Sequence, residues 1–177
     1  MASRVFAGTR IDLVRGDIVH EATDVIVNAA NRTLLGGGGV DGAIHAHGGP
    51  AILDECRRLG GCGTGDAKIT GAGRLQARWV IHAVGPVYRD GASGEPELLA
   101  GAYRRCLELA VEHGARSVAF PSLSTGVYRF PVRLAAPIAL RTVVAGIDAR
   151  PGGLDLVRFV LFSPGDLEVY ATALAAL

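Results

Sequence analysis

The residues most suited to chemistry lie between Asn28 and His45. They comprise two carboxamides, a run of four glycines and one carboxylate: Asn28, Asn31, Gly36–Gly39 and Asp41. Amide side chains orient hydroxyl groups, and glycine backbone lets N–H groups approach a phosphate closely. A carboxylate can hold or deprotonate a water molecule. This combination predicts a site for a phosphorylated sugar and is compatible with its hydrolysis.

A second loop rich in hydroxyl groups covers residues 122–128 and follows the predicted strand Val118–Pro121. Hydroxyls and backbone N–H groups at the carboxyl end of a strand are well placed to contact phosphate in an open α/β sheet. Taken alone, this loop is also compatible with an ordinary strand-to-helix turn. Together, the two loops predict a site that grips a diphosphate from both sides.

The elements that must position these loops alternate between short apolar runs and helix-compatible segments. The predicted strands are Ile11–Val14, Val25–Val27, Ala67–Thr70, Val80–Val84, Val118–Pro121 and Leu156–Phe162. The predicted helices are Val40–His47, Pro50–Leu59, Glu97–His113, Leu134–Ile147 and Asp166–Leu177. Near-continuous apolar strands that alternate with helices favour an α/β fold with a mostly parallel or mixed sheet that is covered on both faces. Pro137 must lie in the first turn of its helix or break that helix.

The glycine run also satisfies the dinucleotide fingerprint G-x-G-x-x-G over Gly37–Gly42. That fingerprint requires a direct turn from strand to helix and an acidic residue at the end of the next strand. Here nine residues separate Val27 from Gly37, and Gly60–Gly63 stands where the acidic strand end is expected. The pattern therefore argues against a nicotinamide-dependent oxidoreductase.

Asp41 has two equally supported interpretations from its spacing. It could cap the helix that follows the glycines, or it could act on a water molecule in the site. His45 and His82 lie in apolar segments and are interpreted as hydrogen-bonded core histidines.

The composition excludes several classes of function. The 177 residues have a net charge of +1, which gives no basic excess for general duplex binding. The three cysteines fit neither a disulfide framework nor a zinc motif, and no histidine pair has metal-ligand spacing, so no metal is expected. No segment has the apolar length of a signal peptide or a membrane span. We expect one domain over residues 1–177, cytoplasmic, monomeric and free of cofactors.

Six motifs occur in order along the chain: Gly16–Ile18, Val25–Asn31, Leu34–His45, Thr64–Thr70, Val80–Pro86 and Phe120–Pro131. This series closely resembles the macrodomains and, within them, the MacroD-type ADP-ribosyl hydrolases. The resemblance runs from about Ile11 almost to the C-terminus. It implies a three-layer α/β/α fold with a mixed central sheet, and a cleft above the sheet that binds ADP-ribose.

The resemblance also implies a role for each matching residue. Asp17 would accept a hydrogen bond from the adenine amino group, Ile18 would pack on the base, and Phe162 would stack nearby. Asn31 would orient the distal ribose and Asp41 would be the catalytic group. The other matching residues would line the ribose and the diphosphate: Asn28, Gly37, Gly38, Gly39 and Val40 from the first loop, and Ser122, Ser124, Thr125, Gly126, Val127 and Tyr128 from the second.

The implied function is hydrolysis of ADP-ribose esters by a water that Asp41 positions. Its substrates would be proteins with mono-ADP-ribose on Asp or Glu carboxylates, and O-acetyl-ADP-ribose. Two alternatives stay open, a module that binds ADP-ribose without cleaving it and a hydrolase of ADP-ribosylated nucleic acid. The intact glycine run with Asp41 and Asn31 favours an enzyme.

Arg129 is a departure from the pattern of the family. Relatives commonly have glycine at this position, and arginine adopts a positive φ far less readily than glycine does. Arginine also adds a cation beside a cleft that would hold an anion. The choice of substrate is therefore less well indicated than the binding of ADP-ribose.

Overall fold

Seven strands form one sheet in the computed structural model, which describes residues 1–177. The strands are β1 (Ala2–Phe6), β2 (Thr9–Arg15), β3 (Val25–Ala29), β4 (Ala67–Gly71), β5 (Trp79–Ala83), β6 (Ser117–Phe120) and β7 (Leu156–Leu161). Their order is β1-β2-β7-β6-β3-β5-β4. The five central strands are parallel, and β1 and β4 pair antiparallel at the two edges. The sheet is therefore mixed, as predicted.

Five helices cover the two faces of this sheet: α1 (Gly39–Gly48), α2 (Pro50–Leu59), α3 (Glu95–Glu112), α4 (Val132–Ala149) and α5 (Pro164–Ala175). On one face α1 and α2 contribute Ile44 and Ile52 to a core of 15 buried residues. On the other face α3, α4 and α5 enclose a larger core of 31 residues, which includes Leu140 and Phe159. The predicted three-layer α/β/α arrangement is confirmed. None of the helices combines the length and the apolar composition that a bilayer crossing requires.

Most elements lie within two residues of their predicted bounds, and α2 coincides with its prediction, with Pro50 in the first turn. The predictions missed β1, an edge strand whose central residues Ser3–Val5 are exposed. They also missed a 3₁₀ turn at Ile18–His20. Neither segment contains the apolar run on which strand and helix prediction depends.

The prediction for Pro137 was wrong. Helix α4 begins at Val132, so Pro137 is the sixth residue and lies in the second turn, yet the helix continues to Ala149. Proline at this position removes the hydrogen bond to the carbonyl four residues earlier, and its ring crowds that carbonyl. The helix persists because its apolar face, with Ala136, Leu140 and Val143, is buried in the larger core.

The strand order creates a crevice at the carboxyl ends of β3 and β6. These two strands are neighbours. After β3 the chain passes over the face covered by α1 and α2, whereas after β6 it passes over the face covered by α4. Such a switch point separates the loops that follow the two strands and leaves a crevice where ligands bind in open α/β sheets. One of these two loops contains Gly36–Gly39 and is called the glycine loop below, and the other is the loop at residues 122–128.

Candidate active site at the carboxyl ends of the strands

Asp41 lies below the glycine loop, in the first turn of α1. The N-cap residue is Gly38, and Asp41 is the third residue of the helix. Its carboxylate is buried, and Oδ1 accepts a hydrogen bond from Asn28 Nδ2 at 2.6 Å. His45 Nε2 lies 3.3 Å from the same oxygen. Asp41 therefore does not cap the helix, and the first of its two interpretations is excluded.

The second oxygen of Asp41, Oδ2, faces the glycine loop. A Cβ placed on Gly37 would lie 3.1 Å from Asp41 Oδ2 and 3.5 Å from Asn31 Nδ2. No protein group donates a hydrogen bond to Oδ2, so this oxygen can accept one from a water molecule.

Asn31 shapes the loop that covers Asp41. Its Nδ2 donates to the Gly36 carbonyl at 2.9 Å, and its Oδ1 accepts from the backbone and hydroxyl of Thr33. Leu34, buried within this loop, has a φ of +60°. A left-handed non-glycine residue costs free energy, so the surrounding contacts must impose this backbone conformation.

The predicted glycines are open to the crevice. Gly38 and Gly39 are exposed, and a Cβ at either position would contact nothing within 4 Å. Val40 is half-buried beside Asp41. Asn28, in contrast, is fully buried, with its amide directed at Asp41 and His82 rather than at the crevice.

The second loop is anchored from below by two buried tyrosines that sequence reasoning missed. Tyr103 of α3 accepts a hydrogen bond from the Leu123 N–H at 2.9 Å. Tyr170 of α5 donates to Ser122 Oγ at 2.8 Å, and Thr125 Oγ1 donates to the same oxygen at 2.9 Å. The hydroxyls of Ser122 and Thr125 therefore stabilise the loop from inside. Contacts to a ligand are left to backbone N–H groups and to the other predicted residues.

Those other residues differ in their exposure. Ser124 is buried with a φ of +65°, and its hydroxyl has no partner. Gly126 is exposed and Val127 is 91% exposed. Tyr128 is half-buried, and its carbonyl accepts from the Tyr88 N–H at 2.8 Å. This loop is fixed at both ends while its tip projects into solvent.

Three predicted residues lie at the far end of the crevice. Asp17 is exposed, and its Oδ1 caps the 3₁₀ turn by accepting from the Val19 N–H at 3.2 Å. Ile18 is buried in the smaller core. Phe162 follows β7 and is 86% exposed. Because β2 and β7 pair in parallel with Arg15 opposite Leu161, Asp17 and Phe162 follow their strands at the same edge of the sheet. An exposed aromatic ring at this edge can receive a planar base.

Arg129 adopts the conformation that glycine would adopt, with a φ of +61°. Its side chain is exposed, and its backbone N–H donates to the Gly126 carbonyl at 2.9 Å. We expect Arg129→Gly to stabilise the protein by up to about 1 kcal/mol, because the strain of a left-handed arginine outweighs the added freedom of the unfolded chain. Urea unfolding measures the difference. A loss of stability would show that the arginine side chain contributes more than its strain costs.

His82 is a third residue that sequence reasoning missed as part of the site. It lies on β5, fully buried, with Nδ1 3.1 Å from Asn28 Nδ2 and Nε2 2.9 Å from Thr70 Oγ1. Burial, followed by the charge of His45, lowers the pKa of His82 to about 4. His82 is thus hydrogen-bonded, as predicted, whereas neither ring nitrogen of His45 has a hydrogen-bond partner, although Nε2 lies 3.3 Å from Asp41 Oδ1.

The lowered pKa of His82 predicts that the stability of the protein depends on pH. The pKa of His82 falls from 6.5 in the unfolded chain to about 4 in the folded protein. Between pH 6.5 and about pH 4 the imidazole is protonated in the unfolded state but neutral in the folded state. The stability that the neutral His82 contributes is therefore complete above pH 6.5 and declines as the pH falls towards 4. The full effect is at most about 3 kcal/mol. Urea unfolding of wild type and His82→Asn should show a smaller pH slope in the variant. Equal slopes would contradict the neutral state of His82.

His45, Cys56 and His82 place their potential ligand atoms within 4.8 Å of one another. This grouping is not prepared for a cation, because both nitrogens of His82 are hydrogen-bonded. Burial, with Asp41 and Glu55 nearby, also raises the pKa of the Cys56 thiol to about 11. We therefore expect turnover to survive EDTA. Loss of activity with EDTA and its recovery on adding Zn²⁺ would contradict this expectation.

Comparison with known sequences places both loops within one family model. The model described as Macro domain matches residues 27–139, from β3 into α4. A Macro domain-containing protein of Chlorobaculum tepidum is 55% identical over 166 residues, which cover 94% of this chain and 96% of the relative. One from Caldanaerobacter subterraneus is 54% identical over 168 residues, with 93% and 95% covered.

Solved structures give the same result. The macrodomain of Oceanobacillus iheyensis with ADP superposes with a TM-score of 0.94 at 41% identity, covering 99% of this chain and 95% of that one. The Trypanosoma brucei macrodomain in complex with ADP-ribose has a TM-score of 0.87 at 42% identity, covering 93% and 68%. The similarity therefore extends over the whole sheet and its helices.

Proposed function

The chain belongs to the Macro domain family, and from this membership we propose that it is a MacroD-type hydrolase of ADP-ribose esters. Its substrates would be proteins that carry mono-ADP-ribose on Asp or Glu, and O-acetyl-ADP-ribose. The observation that carries the proposal is the buried Asp41 carboxylate, which has one oxygen held by Asn28 and the other facing Gly37 and Asn31.

ADP-ribose as the ligand is supported by the solved relatives that hold ADP or ADP-ribose. In this chain Asp17 and Phe162 would receive the adenine at one end of the crevice. The diphosphate would lie between the glycine loop and residues 122–128, where backbone N–H groups are open to it. The distal ribose would then reach Asn31 and Asp41.

The chemistry follows from the position of Asp41 Oδ2. This oxygen would accept a hydrogen bond from a water and take its proton as the water attacks the ester. Attack at the acyl carbon breaks the acyl–oxygen bond, whereas attack at the anomeric carbon of a C1-linked ester breaks the bond between that carbon and the ester oxygen. Either route releases ADP-ribose and a free carboxylic acid. Turnover in H₂¹⁸O places the label in the acid for the first route and in ADP-ribose for the second.

A lysine-centred reaction on nucleic acid has less support. Lys68 is the only lysine of the chain. It lies on β4, where Nζ donates to the Leu59 carbonyl at 3.0 Å. This contact directs the amine to the end of α2 rather than to Asp41.

Incubation with O-acetyl-ADP-ribose tests the proposal against a module that only binds. We expect acetate and ADP-ribose to appear in equal amounts, with many turnovers per protein. Calorimetry with ADP-ribose measures binding in parallel. Binding without release of acetate would favour the non-catalytic module.

A further inference from the structure

A chain of hydrogen bonds leads from β4 to Asp41. Thr70 Oγ1 donates to the Gly71 carbonyl at 2.8 Å, so the single hydroxyl proton is used there. His82 Nε2 lies 2.9 Å from the same oxygen and must therefore donate to it. Cys56 Sγ, at 3.6 Å, is a weaker neighbour of Nε2. The imidazole is thus the tautomer that carries its proton on Nε2 and leaves Nδ1 as an acceptor.

The unprotonated Nδ1 of His82 determines the orientation of the Asn28 amide. One N–H of the Asn28 amide points to His82 Nδ1 at 3.1 Å, and the other donates to Asp41 Oδ1 at 2.6 Å. A flipped amide would place its carbonyl oxygen against the Nδ1 lone pair and against a carboxylate. Both contacts would be repulsive, so only one orientation of the amide is compatible with its surroundings.

This arrangement carries a cost that stability alone does not explain. Asn28 is fully buried, and its Oδ1 has no hydrogen-bond partner. An unpaired buried carbonyl is costly, and native proteins contain few of them. The three aligned hydrogen bonds end at a carboxylate in the crevice, which indicates that the network serves that carboxylate.

We propose that His82 is a positioning residue that, through Asn28, anchors Asp41 Oδ1 and so directs Asp41 Oδ2 to the attacking water. This inference rests on the proposed hydrolysis of ADP-ribose esters. Thr70 acts one step further out, because it selects the tautomer of His82. Neither residue contacts the substrate, so their loss changes the chemical step more than binding.

Two isosteric substitutions separate this role from packing. Thr70→Val removes the acceptor for His82 Nε2–H, which lets the imidazole carry its proton on Nδ1, facing the Asn28 amide. Thr9→Val is the matched control. Thr9 lies at the start of β2, remote from Asp41, is as buried as Thr70, and donates to the Leu154 carbonyl at 2.7 Å. With O-acetyl-ADP-ribose, we expect kcat to fall at least about 10-fold for Thr70→Val, with unchanged ADP-ribose affinity. Thr9→Val should keep the wild-type kcat, and equal kcat values for both variants would overturn the proposal.

Substitutions of His82 itself give a second comparison. His82→Asn keeps an acceptor near the Nδ1 position, whereas His82→Leu has none. We expect kcat to be higher for His82→Asn than for His82→Leu even if the leucine variant is the more stable in urea. A kcat that is equal in the two variants, or higher for His82→Leu, would assign His82 a purely structural role.

The tautomer can be measured without any turnover. Long-range ¹H–¹⁵N spectra of the wild-type protein should show His82 protonated on Nε2, and in Thr70→Val the Nδ1-protonated form should appear. A wild-type His82 protonated on Nδ1 overturns the inference. If the Nε2 form is found but no ester is hydrolysed, the proposed function fails while the hydrogen-bond network stands.

Discussion

Replacing Asp41 with alanine is expected to lower the turnover of O-acetyl-ADP-ribose by about 10²–10⁴-fold, the usual contribution of a positioned acid–base group. Binding of ADP-ribose should survive, because in the proposed mode the backbone of the two loops would hold the diphosphate and the far end of the crevice would hold the base. The comparison requires kcat from acetate release and the Kd of ADP-ribose from calorimetry. Asp41→Asn should lose a similar factor, since the amide keeps the shape of the carboxylate but cannot take a proton.

Asp54→Ala provides the matched control for this prediction. Asp54 lies on α2 with an exposed carboxylate that pairs with Arg57. Its removal takes the same charge from the protein, here at an exposed position, and should leave kcat unchanged. If Asp41→Ala turned over at the wild-type rate, Asp41 would have no catalytic role, and the crevice would require another base.

Gly42→Ala is expected to weaken ADP-ribose binding by about 10-fold or more, although alanine normally stabilises a helix by about 1 kcal/mol relative to glycine. A Cβ at Gly42 would lie 2.8 Å from the Gly37 carbonyl oxygen. Backbone cannot rotate away as a side chain can, so the glycine loop must move from its place over Asp41. A misplacement of about 1 Å can lower a catalytic rate by about 10²-fold, and a displaced glycine loop can no longer make the same backbone contacts to the diphosphate.

Gly101→Ala is the matched control for Gly42→Ala. Gly101 is also helical, on α3, and a Cβ there would lie 2.8 Å from the Gly65 carbonyl oxygen. Both variants should lose stability in urea, but only Gly42→Ala should lose affinity for ADP-ribose. Equal losses of affinity would show that general destabilisation, rather than movement of the glycine loop, causes the effect.

The parts of the fold that are determined locally were predictable from sequence. Apolar runs located the central strands, and Pro50 marked the start of α2. The edge strand β1 was missed because its residues are mostly exposed and carry no apolar pattern. Pro137 was misjudged because the burial of α4 outweighs one lost backbone hydrogen bond, and burial of this kind depends on the rest of the fold.

The same distinction applies to the site. Asn31, Asp41 and the glycines are close in sequence, so their spacing and the family resemblance could indicate them. His82 and Thr70 reach Asp41 only because β4 and β5 pair beside β3, and Tyr103 and Tyr170 reach the second loop from separate helices. Thr70 and His82 do lie within two of the family motifs, Thr64–Thr70 and Val80–Pro86, but the motifs alone do not reveal their contacts, and no motif marks Tyr103 or Tyr170. The capping interpretation of Asp41 could be excluded only once the helix was seen to begin at Gly39.

The most direct test of the central claim offers the wild-type protein three ADP-ribosylated substrates side by side, linked through a carboxylate, a serine hydroxyl and a nucleic-acid base. Mass spectrometry follows the release of ADP-ribose from each. We predict release from the carboxylate ester alone. Release from the base alone, or tight binding of all three without release, would contradict an ester hydrolase that depends on Asp41.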